Sequence, residues 1–307
     1  MIPTAHFPEN MIFYLVFLLG IGIFSYLLYT RLMLLLVAQK EDRFSQIGER
    51  IKSILVFVFG QRRLLNEPFA GIIHLLIFYG FLAFSLGTIT IMGEGWYPGF
   101  SLPFMNGPLG NIYLFIKDTF ALLVIIGIVL AAYRRWITRP ARLERSWDAA
   151  LCLIFIFFLM VTDLSIMAGR IGSGLSLEST GLWTPAALTI SNALAGSGFT
   201  EAGFRVLYQV GWWGHVVFLL GFLIYLPLSK HFHIITAVPN VFFRSLAPRG
   251  ALTKLNLEDE SAETFGVSKV EEFTWKQCFD FYACTECGRC SDNCPAYLSD
   301  KPLHPKM

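Results

Sequence analysis

The stretch WWGHVVFLLGFLIYLPLSKHFHI, residues 212–234, shapes the interpretation of the whole chain. Its composition predicts one long apolar helix with His215 near its start and His233 at its end. The two histidines are 18 residues apart, which at 100° per residue is five whole turns, so both imidazoles are expected on one face, about 27 Å apart. That separation is close to the thickness of a bilayer's hydrocarbon core, about 30 Å. The stretch therefore predicts a membrane-crossing helix that offers an imidazole near each side of the membrane.

The composition of the remaining chain agrees with a membrane protein. Of 307 residues, 55% are apolar, 29 are phenylalanine and only 15% are charged. A soluble domain of this length is not so apolar, and several membrane spans are expected. Five of the six cysteines lie between residues 278 and 294, which favours metal ligation over a disulfide framework. The sixth, Cys152, lies in an apolar run and is expected in the core.

Apolar runs long enough to cross a bilayer occur five times, at residues 11–37, 68–92, 112–133, 149–167 and 206–228. The intervening segment 43–60 is amphipathic and is expected on the membrane surface.

The connecting segments predict the orientation of this bundle. Segments 39–63 and 134–145 carry eleven Lys and Arg residues together, whereas segments 93–112 and 168–204 carry one. By the positive-inside rule the first two are cytoplasmic. The sequence therefore predicts an all-α membrane protein of five helices in the cell's inner (cytoplasmic) membrane. Its N-terminus is expected outside and its C-terminal segment in the cytoplasm.

Histidines on the second and fifth runs suggest a haem site. His74 and His233 are expected at similar depth near the cytoplasmic side, and haem in a membrane bundle is held by imidazoles from two helices. Ionisable residues inside a membrane are functional by default, although a histidine bonded between helices is the structural alternative. His231 competes with His233, but it points about 200° away around a helix. It is also explained as an interfacial cation beside Lys230.

The end of the fifth run, PLSKHFHI, resembles the haem-bearing gamma subunit of respiratory nitrate reductase. That family has five helices, an outside N-terminus and a last helix ending in Pro-x-Ser/Thr-Lys/Arg-x-x-His. The positions here that match this ending are Pro227, Ser229, Lys230 and His233. The resemblance therefore implies a cytochrome b domain and favours His233 over His231.

The same resemblance leaves the second haem of that family open. The family uses two histidines ten residues apart on its second helix; His74 matches the first, and Phe84 occupies the position of the second. The resemblance thus implies one haem b at the cytoplasmic side. For His215 three alternatives remain: a sole axial ligand, a ligand with an unidentified partner, or a relic.

The strongest motif of the chain is CTECGRCSDNCPA, residues 284–296. Its spacing, C-x2-C-x2-C-x3-C-P, is that of bacterial [4Fe–4S] ferredoxins, and zinc is disfavoured because zinc sites pair C-x2-C units. Three thiolates are expected on one cluster: Cys284, Cys287 and Cys290. By the rule for two-cluster ferredoxins, Cys294 belongs to a second cluster. Gly288 would let the backbone pass close to the metal.

Neither cluster is complete within these 307 residues. The first lacks a fourth ligand and the second lacks three, so we expect either a truncated piece of a longer protein, which we favour, or completion by another chain. The expected domains are a transmembrane cytochrome b domain at 1–240, a linker at 241–270 and the start of a [4Fe–4S] ferredoxin-type domain at 271–307.

The order of parts, apolar helices followed by FGVSKVEEFTWKQ (residues 265–277) and then the cysteine motif, is similar to the membrane-bound iron–sulfur proteins related to heterodisulfide reductase. That group includes membrane oxidoreductases that link electron-transfer flavoprotein to menaquinone. The resemblance implies an oxidoreductase of the respiratory chain, with a cytoplasmic redox protein as partner and further cysteines beyond the present motif.

Three charged residues within the apolar runs are candidates for a quinone site: Lys117, Asp118 and Asp163. All three are expected towards the outer side. A charge inside the membrane costs a few kcal/mol and usually has a function. In the nitrate reductase gamma family a helix-three lysine contacts quinol, and Lys117 is the match. The structural alternatives are a Lys117–Asp163 ion pair or a lysine that extends to the interface.

These features predict a protein that passes electrons between a cytoplasmic donor and menaquinone through [4Fe–4S] clusters and haem b. Its partners are the lipid bilayer, the quinone pool and a redox protein such as electron-transfer flavoprotein; nothing indicates nucleic acid. One alternative is the quinol-oxidising membrane arm of a heterodisulfide- or sulfite-type reductase. The other is a haem-free membrane anchor for an iron–sulfur enzyme.

Overall fold

A computed structural model describes residues 2–175, 178–248, 251, 257–258, 266–267, 269–303 and 305–306. It is 72% helical, and the described residues contain no strand. The α-helices, in chain order, are α1 Glu9–Met33, α2 Ile47–Ser53, α3 Pro68–Trp96, α4 Pro108–Ala132, α5 Trp147–Gly172, α6 Glu178–Leu182, α7 Pro185–Gly196, α8 Glu201–Tyr225, α9 His233–Phe242, α10 Trp275–Tyr282, α11 Arg289–Asp292 and α12 Pro295–Leu298.

Five helical segments in the described part of the chain are long and apolar enough to cross a membrane. They are Glu9–Leu36, Pro68–Trp96, Pro108–Thr138, Trp147–Gly172 and Glu201–Leu228. Each contains or closely matches one of the five apolar runs, so the prediction of an all-helical chain with five such segments is confirmed.

The chain divides into two compact units. The bundle unit comprises Met1–Ile23 and Leu64–Tyr225, and the motif unit comprises Phe24–Arg63 and Leu226–Met307. Each unit therefore joins segments that are distant in sequence, and the motif unit brings the first polar loop together with the cysteine segment.

Close backbone approach holds the bundle unit together. Helix α5 packs along α8, α3 packs along α4, and α4 packs against α5. A Cβ added at Gly169 would lie 2.7 Å from the backbone nitrogen of Tyr208, and one at Gly211 would lie 3.1 Å from that of Ile166. Glycines at these positions allow α5 and α8 to meet closely, as small residues do between membrane helices.

The stretch 212–234 is not one helix, in contrast to the sequence prediction. Helix α8 ends at Tyr225, two 3₁₀ turns follow at Leu226–Leu228 and Lys230–Phe232, and α9 begins at His233. Pro227 has no N–H to continue the helix, and the Ser229 hydroxyl accepts from His231 N at 3.1 Å. The expected single face for His215 and His233 is therefore wrong.

A second difference lies in segment 168–204, which the sequence predicts only as a connection between two membrane helices. It contains α6 and α7, and α7 is apolar and packs against α4 and α5. Pro185 stands in the first turn of α7, the position that favours proline because its missing N–H would have no helical partner.

Candidate functional site

The cysteine motif forms a turn with accessible thiols. Cys284, Cys287 and Cys290 are exposed, Cys294 is half-buried, and none is in a disulfide. Gly288 has φ +75°, and α11 begins directly after it. Within the described residues no three His, Cys, Asp or Glu side chains converge on one point. The donor set, four closely spaced thiols around a left-handed glycine, fits ligation of an iron–sulfur cluster.

Helix α10, which leads into the motif, is anchored to the segment after α1. Gln39 N donates to Phe273 O and Trp275 N donates to Gln39 O, both at 2.9 Å, which forms a short parallel bridge. The Trp275 indole N–H donates to Glu41 O at 2.8 Å. Thr274 accepts from Gln277 N in a capping box that begins α10.

A second set of contacts holds α10 against α9 in the same unit. The Lys276 ammonium is buried and donates to Asn240 Oδ1 and to Asp280 Oδ1, each at 2.6 Å. The Thr236 hydroxyl lies 3.4 Å from Tyr282 O. Helix α10, which leads into the motif, is therefore fixed relative to α9, whose first residue is His233.

His233 has the protonation pattern of a metal ligand. Its Nδ1 lies 3.0 Å from Lys230 O, and because a carbonyl only accepts, Nδ1 carries the hydrogen. The lone pair is then on Nε2, the usual arrangement in metal-ligating histidines. Burial lowers the pKa of His233 and so favours the neutral imidazole that ligation needs. The His231 ring lies 5.5 Å from the His233 ring, tilted by 55°.

The motif itself contacts the turn that precedes His233. Lys230 Nζ forms an ion pair with Glu286 Oε2 at 2.8 Å. Glu286 lies between Cys284 and Cys287. One residue of the predicted haem-binding ending therefore contacts the predicted cluster-binding loop.

His74 lies in the bundle unit, on α3, half-buried and stacked 6.1 Å from the Phe78 ring. His233 belongs to the motif unit. The pairing of these two histidines on one haem stays a prediction.

His215 lies in the core of the bundle unit, with 2% of its surface exposed. Its Nδ1 is 3.0 Å from Thr162 Oγ1, and the Thr162 hydroxyl lies 2.7 Å from Phe158 O. The hydroxyl donates to that carbonyl, so Nδ1–H donates to Thr162 and the lone pair is on Nε2. Nε2 is buried without a hydrogen-bond partner among the described residues. His215 thus presents the same tautomer as His233.

Lys117 and Asp163 form a buried ion pair beside Phe84. Lys117 Nζ lies 2.7 Å from both carboxylate oxygens of Asp163, and the two side chains are only 6% and 3% exposed. Each residue is nine positions from an end of its helix, Pro108 or Gly172, or about 14 Å along it. The ammonium also lies 5.5 Å from the centre of the Phe84 ring. Phe84, which occupies the position expected for a second axial histidine, therefore has the Lys117 ammonium over its ring.

Asp118 has a structural contact of its own. Its carboxylate accepts from Ala186 N at 2.7 Å and from Ala187 N at 3.2 Å. It thereby satisfies the first N–H groups of α7. The structure thus separates Asp118, a cap for α7, from its neighbour Lys117, which pairs with Asp163.

A further polar cluster lies at the ends of α3, α5 and α8. Arg170 Nη2 donates to Glu94 Oε1 at 2.9 Å, to Glu94 Oε2 at 2.7 Å and to the Tyr208 hydroxyl at 3.1 Å. These residues line a cavity of about 230 Å³ together with Ile2 and Leu175. This cluster was not among the sites predicted from the sequence, although Glu94 and Arg170 are isolated charges near the ends of apolar runs.

Comparison with known proteins finds relatives that are named as redox proteins. The chain is 38% identical over 301 residues to the probable iron-sulfur-binding oxidoreductase FadF of Bacillus subtilis, covering 96% of this chain and 41% of the relative. It is 30% identical over 315 residues to the EtfAB:quinone oxidoreductase of Syntrophomonas wolfei, covering 99% of this chain and 43% of the relative. A 55-residue match, 47% identical, links 18% of the chain to 8% of a probable membrane-anchored ferredoxin of Chromohalobacter salexigens.

The chain thus spans less than half the length of the two relatives that match it almost throughout. No family model matches the chain. No solved structure matches it either. The names of the relatives support the prediction of an iron–sulfur oxidoreductase.

Proposed function

We propose that this chain is the membrane electron-transfer part of a quinone-linked oxidoreductase. Electrons pass between a cytoplasmic donor and menaquinone through [4Fe–4S] clusters and haem b. The observation that carries the proposal lies in the motif unit. There helix α10 is held against α9, and Lys230, whose carbonyl accepts the Nδ1 hydrogen of His233, forms an ion pair with Glu286 of the cysteine turn.

Each cofactor has named residues in this scheme. Cys284, Cys287 and Cys290 hold one cluster, and Cys294 contributes to a second that residues outside this chain complete. His74 and His233 hold the haem, with His231 as the alternative to His233. Clusters and haem accept and donate single electrons, and the Lys230 carbonyl keeps the His233 ring in one tautomer and orientation.

The quinone site is proposed at the buried pair Lys117 and Asp163. Menaquinone becomes menaquinol by taking up two electrons and two protons. Lys117 donates hydrogen bonds and Asp163 accepts them, so the pair can orient a quinone carbonyl and hold a proton beside it. His215 adds a buried nitrogen lone pair to the same unit, as a proton acceptor or as the ligand of a second haem. Asp118 stays a weaker candidate because it caps α7.

The proposed setting follows the charge distribution of the loops. The N-terminus is outside and the cysteine motif is in the cytoplasm, in a cell's inner membrane. One relative is named an EtfAB:quinone oxidoreductase, which supports electron-transfer flavoprotein as the donor.

Redox-difference absorption spectra of the purified chain test the haem. Reduction with dithionite should produce a b-type α band, which His74→Ala and His233→Ala should each abolish. His231→Ala is the matched control, and the band should survive it. If the band survives His233→Ala but not His231→Ala, the choice of ligand is wrong.

A haem-free membrane anchor for an iron–sulfur enzyme is the second candidate. One relative is named a probable membrane-anchored ferredoxin, and an anchor needs only the apolar helices and the cysteine motif. It predicts electron paramagnetic resonance (EPR) signals from a reduced cluster in a protein that shows no α band.

A further inference from the structure

We propose that Lys230 and Glu286 form an electrostatic latch that fixes the cysteine motif against the turn carrying His233. Lys230 is then a positioning residue for electron transfer between the motif and the imidazole. The electron-transfer part of this inference rests on the proposed function, whereas the latch itself does not.

Lys230 contacts both redox sites at once. Its ammonium lies 2.8 Å from Glu286 Oε2, and its carbonyl accepts the Nδ1 hydrogen of His233 at 3.0 Å. All three residues belong to the motif unit. A displacement of the Lys230 backbone would therefore move the His233 ring, and a displacement of the Lys230 side chain would release the cysteine turn.

The burial of the Lys230 side chain distinguishes this pair from an ordinary surface ion pair. The Lys230 side chain is 11% exposed, whereas Glu286 is 50% exposed. Exposed ion pairs contribute little because water screens them, but a nearly buried ammonium needs a partner. Glu286 supplies that partner from within the motif.

The backbone of Glu286 gives an independent reason to assign it a role. Its φ is +53°, in the left-handed region where glycine is favoured and other residues are uncommon. Gly288, two positions later, has φ +75° and shows the residue usually found in such a conformation. A glutamate at position 286 has an unfavourable backbone conformation, and its carboxylate contact with Lys230 offsets that cost.

The latch adds to the contacts that already hold α10, the helix before the motif, against α9. Lys276 and Thr236 fasten α10 to α9, but α10 ends at Tyr282, before the first motif cysteine. The Lys230–Glu286 pair adds a contact beyond the end of α10, in the turn between Cys284 and Cys287.

Amide hydrogen exchange of the full chain in lipid nanodiscs tests the latch without any cofactor. Glu286→Gln and Lys230→Met should each speed exchange severalfold in residues 285–291, and the exchanged pair Lys230→Glu with Glu286→Lys should restore protection. Glu201→Gln is the matched control, because it breaks an exposed ion pair with Arg205 in the other unit. Unchanged exchange in both single variants would overturn the proposal.

The positioning role is tested on this chain together with the residues that complete its clusters, loaded with cluster and haem. Glu286→Gln should slow the growth of the haem α band severalfold when electrons enter through the cluster. It should also weaken the relaxation of the cluster's EPR signal by the haem iron, with the α-band position unchanged. Wild-type rates and relaxation in this variant would refute the positioning role. Absence of an α band in the wild-type chain would instead refute the haem of the proposed function and leave the exchange result standing.

Discussion

His215 and His233 bear the same tautomer in contrasting surroundings. At His233 the Nδ1 hydrogen goes to a backbone carbonyl, that of Lys230. At His215 it goes to a side chain, the hydroxyl of Thr162. His233 follows a turn that an ion pair from Lys230 joins to the cysteine motif, whereas His215 is buried in a helical core that also contains the Lys117–Asp163 pair. A backbone carbonyl therefore orients one imidazole, whereas a side-chain hydroxyl contacts the other.

The largest expected effect concerns the buried ion pair of the bundle unit. Asp163→Asn leaves the Lys117 charge without its counter-ion, which should cost about 3–5 kcal/mol of folding free energy. Thermal loss of helical circular dichroism in detergent measures it. The double variant Lys117→Leu with Asp163→Leu removes both charges and should be clearly more stable than Asp163→Asn. Equal stability of the two would show that the pair is not desolvated.

Thr162→Val should produce the next largest effect and sharpen the contrast between the two histidines. It removes the hydroxyl that accepts the Nδ1 hydrogen of His215, at a cost of about 1–3 kcal/mol. The same melting measurement applies. No side-chain substitution can remove the acceptor of His233, because that acceptor is a backbone carbonyl, so Lys230→Met should keep the His233 ring orientation seen by NMR.

Thr274→Ala tests the anchoring of α10 in the motif unit, with a smaller expected loss of stability. It removes the capping hydroxyl at the start of α10 and that hydroxyl's bond to Glu41, and should cost about 1 kcal/mol. Faster amide exchange in α10, with the bundle helices unchanged, would locate the effect. Thr274→Ser, which keeps the hydroxyl, is the control and should retain wild-type exchange.

Glu201→Gln should have the smallest effect. Its ion pair with Arg205 is exposed on both sides, so it contributes about 0.2–1 kcal/mol. A melting temperature close to that of the wild type is expected. A fall in melting temperature as large as that of Asp163→Asn would show that the exposed pair stabilises the fold as much as the buried pair does.

Much of the fold could be predicted because its signals are local. An apolar run of bilayer length forms a helix whatever lies around it, and five such runs gave five helices. The spacing of the cysteines indicated iron–sulfur chemistry for the same reason. The break at Pro227 could have been predicted from the proline alone, but the apolar run before it and the five-turn spacing of His215 and His233 favoured one helix.

What the sequence determined by itself is the set of groups and their order: five apolar helices, histidines near two helix ends, and a cysteine motif after them. Tertiary structure alone decided which of these groups meet. Lys117 is 46 residues from Asp163, and Lys230 is 56 from Glu286. Arg170 is 76 from Glu94. No periodic pattern encodes such contacts, because they depend on how helices pack and where a chain turns back, and there a buried charge must find a partner.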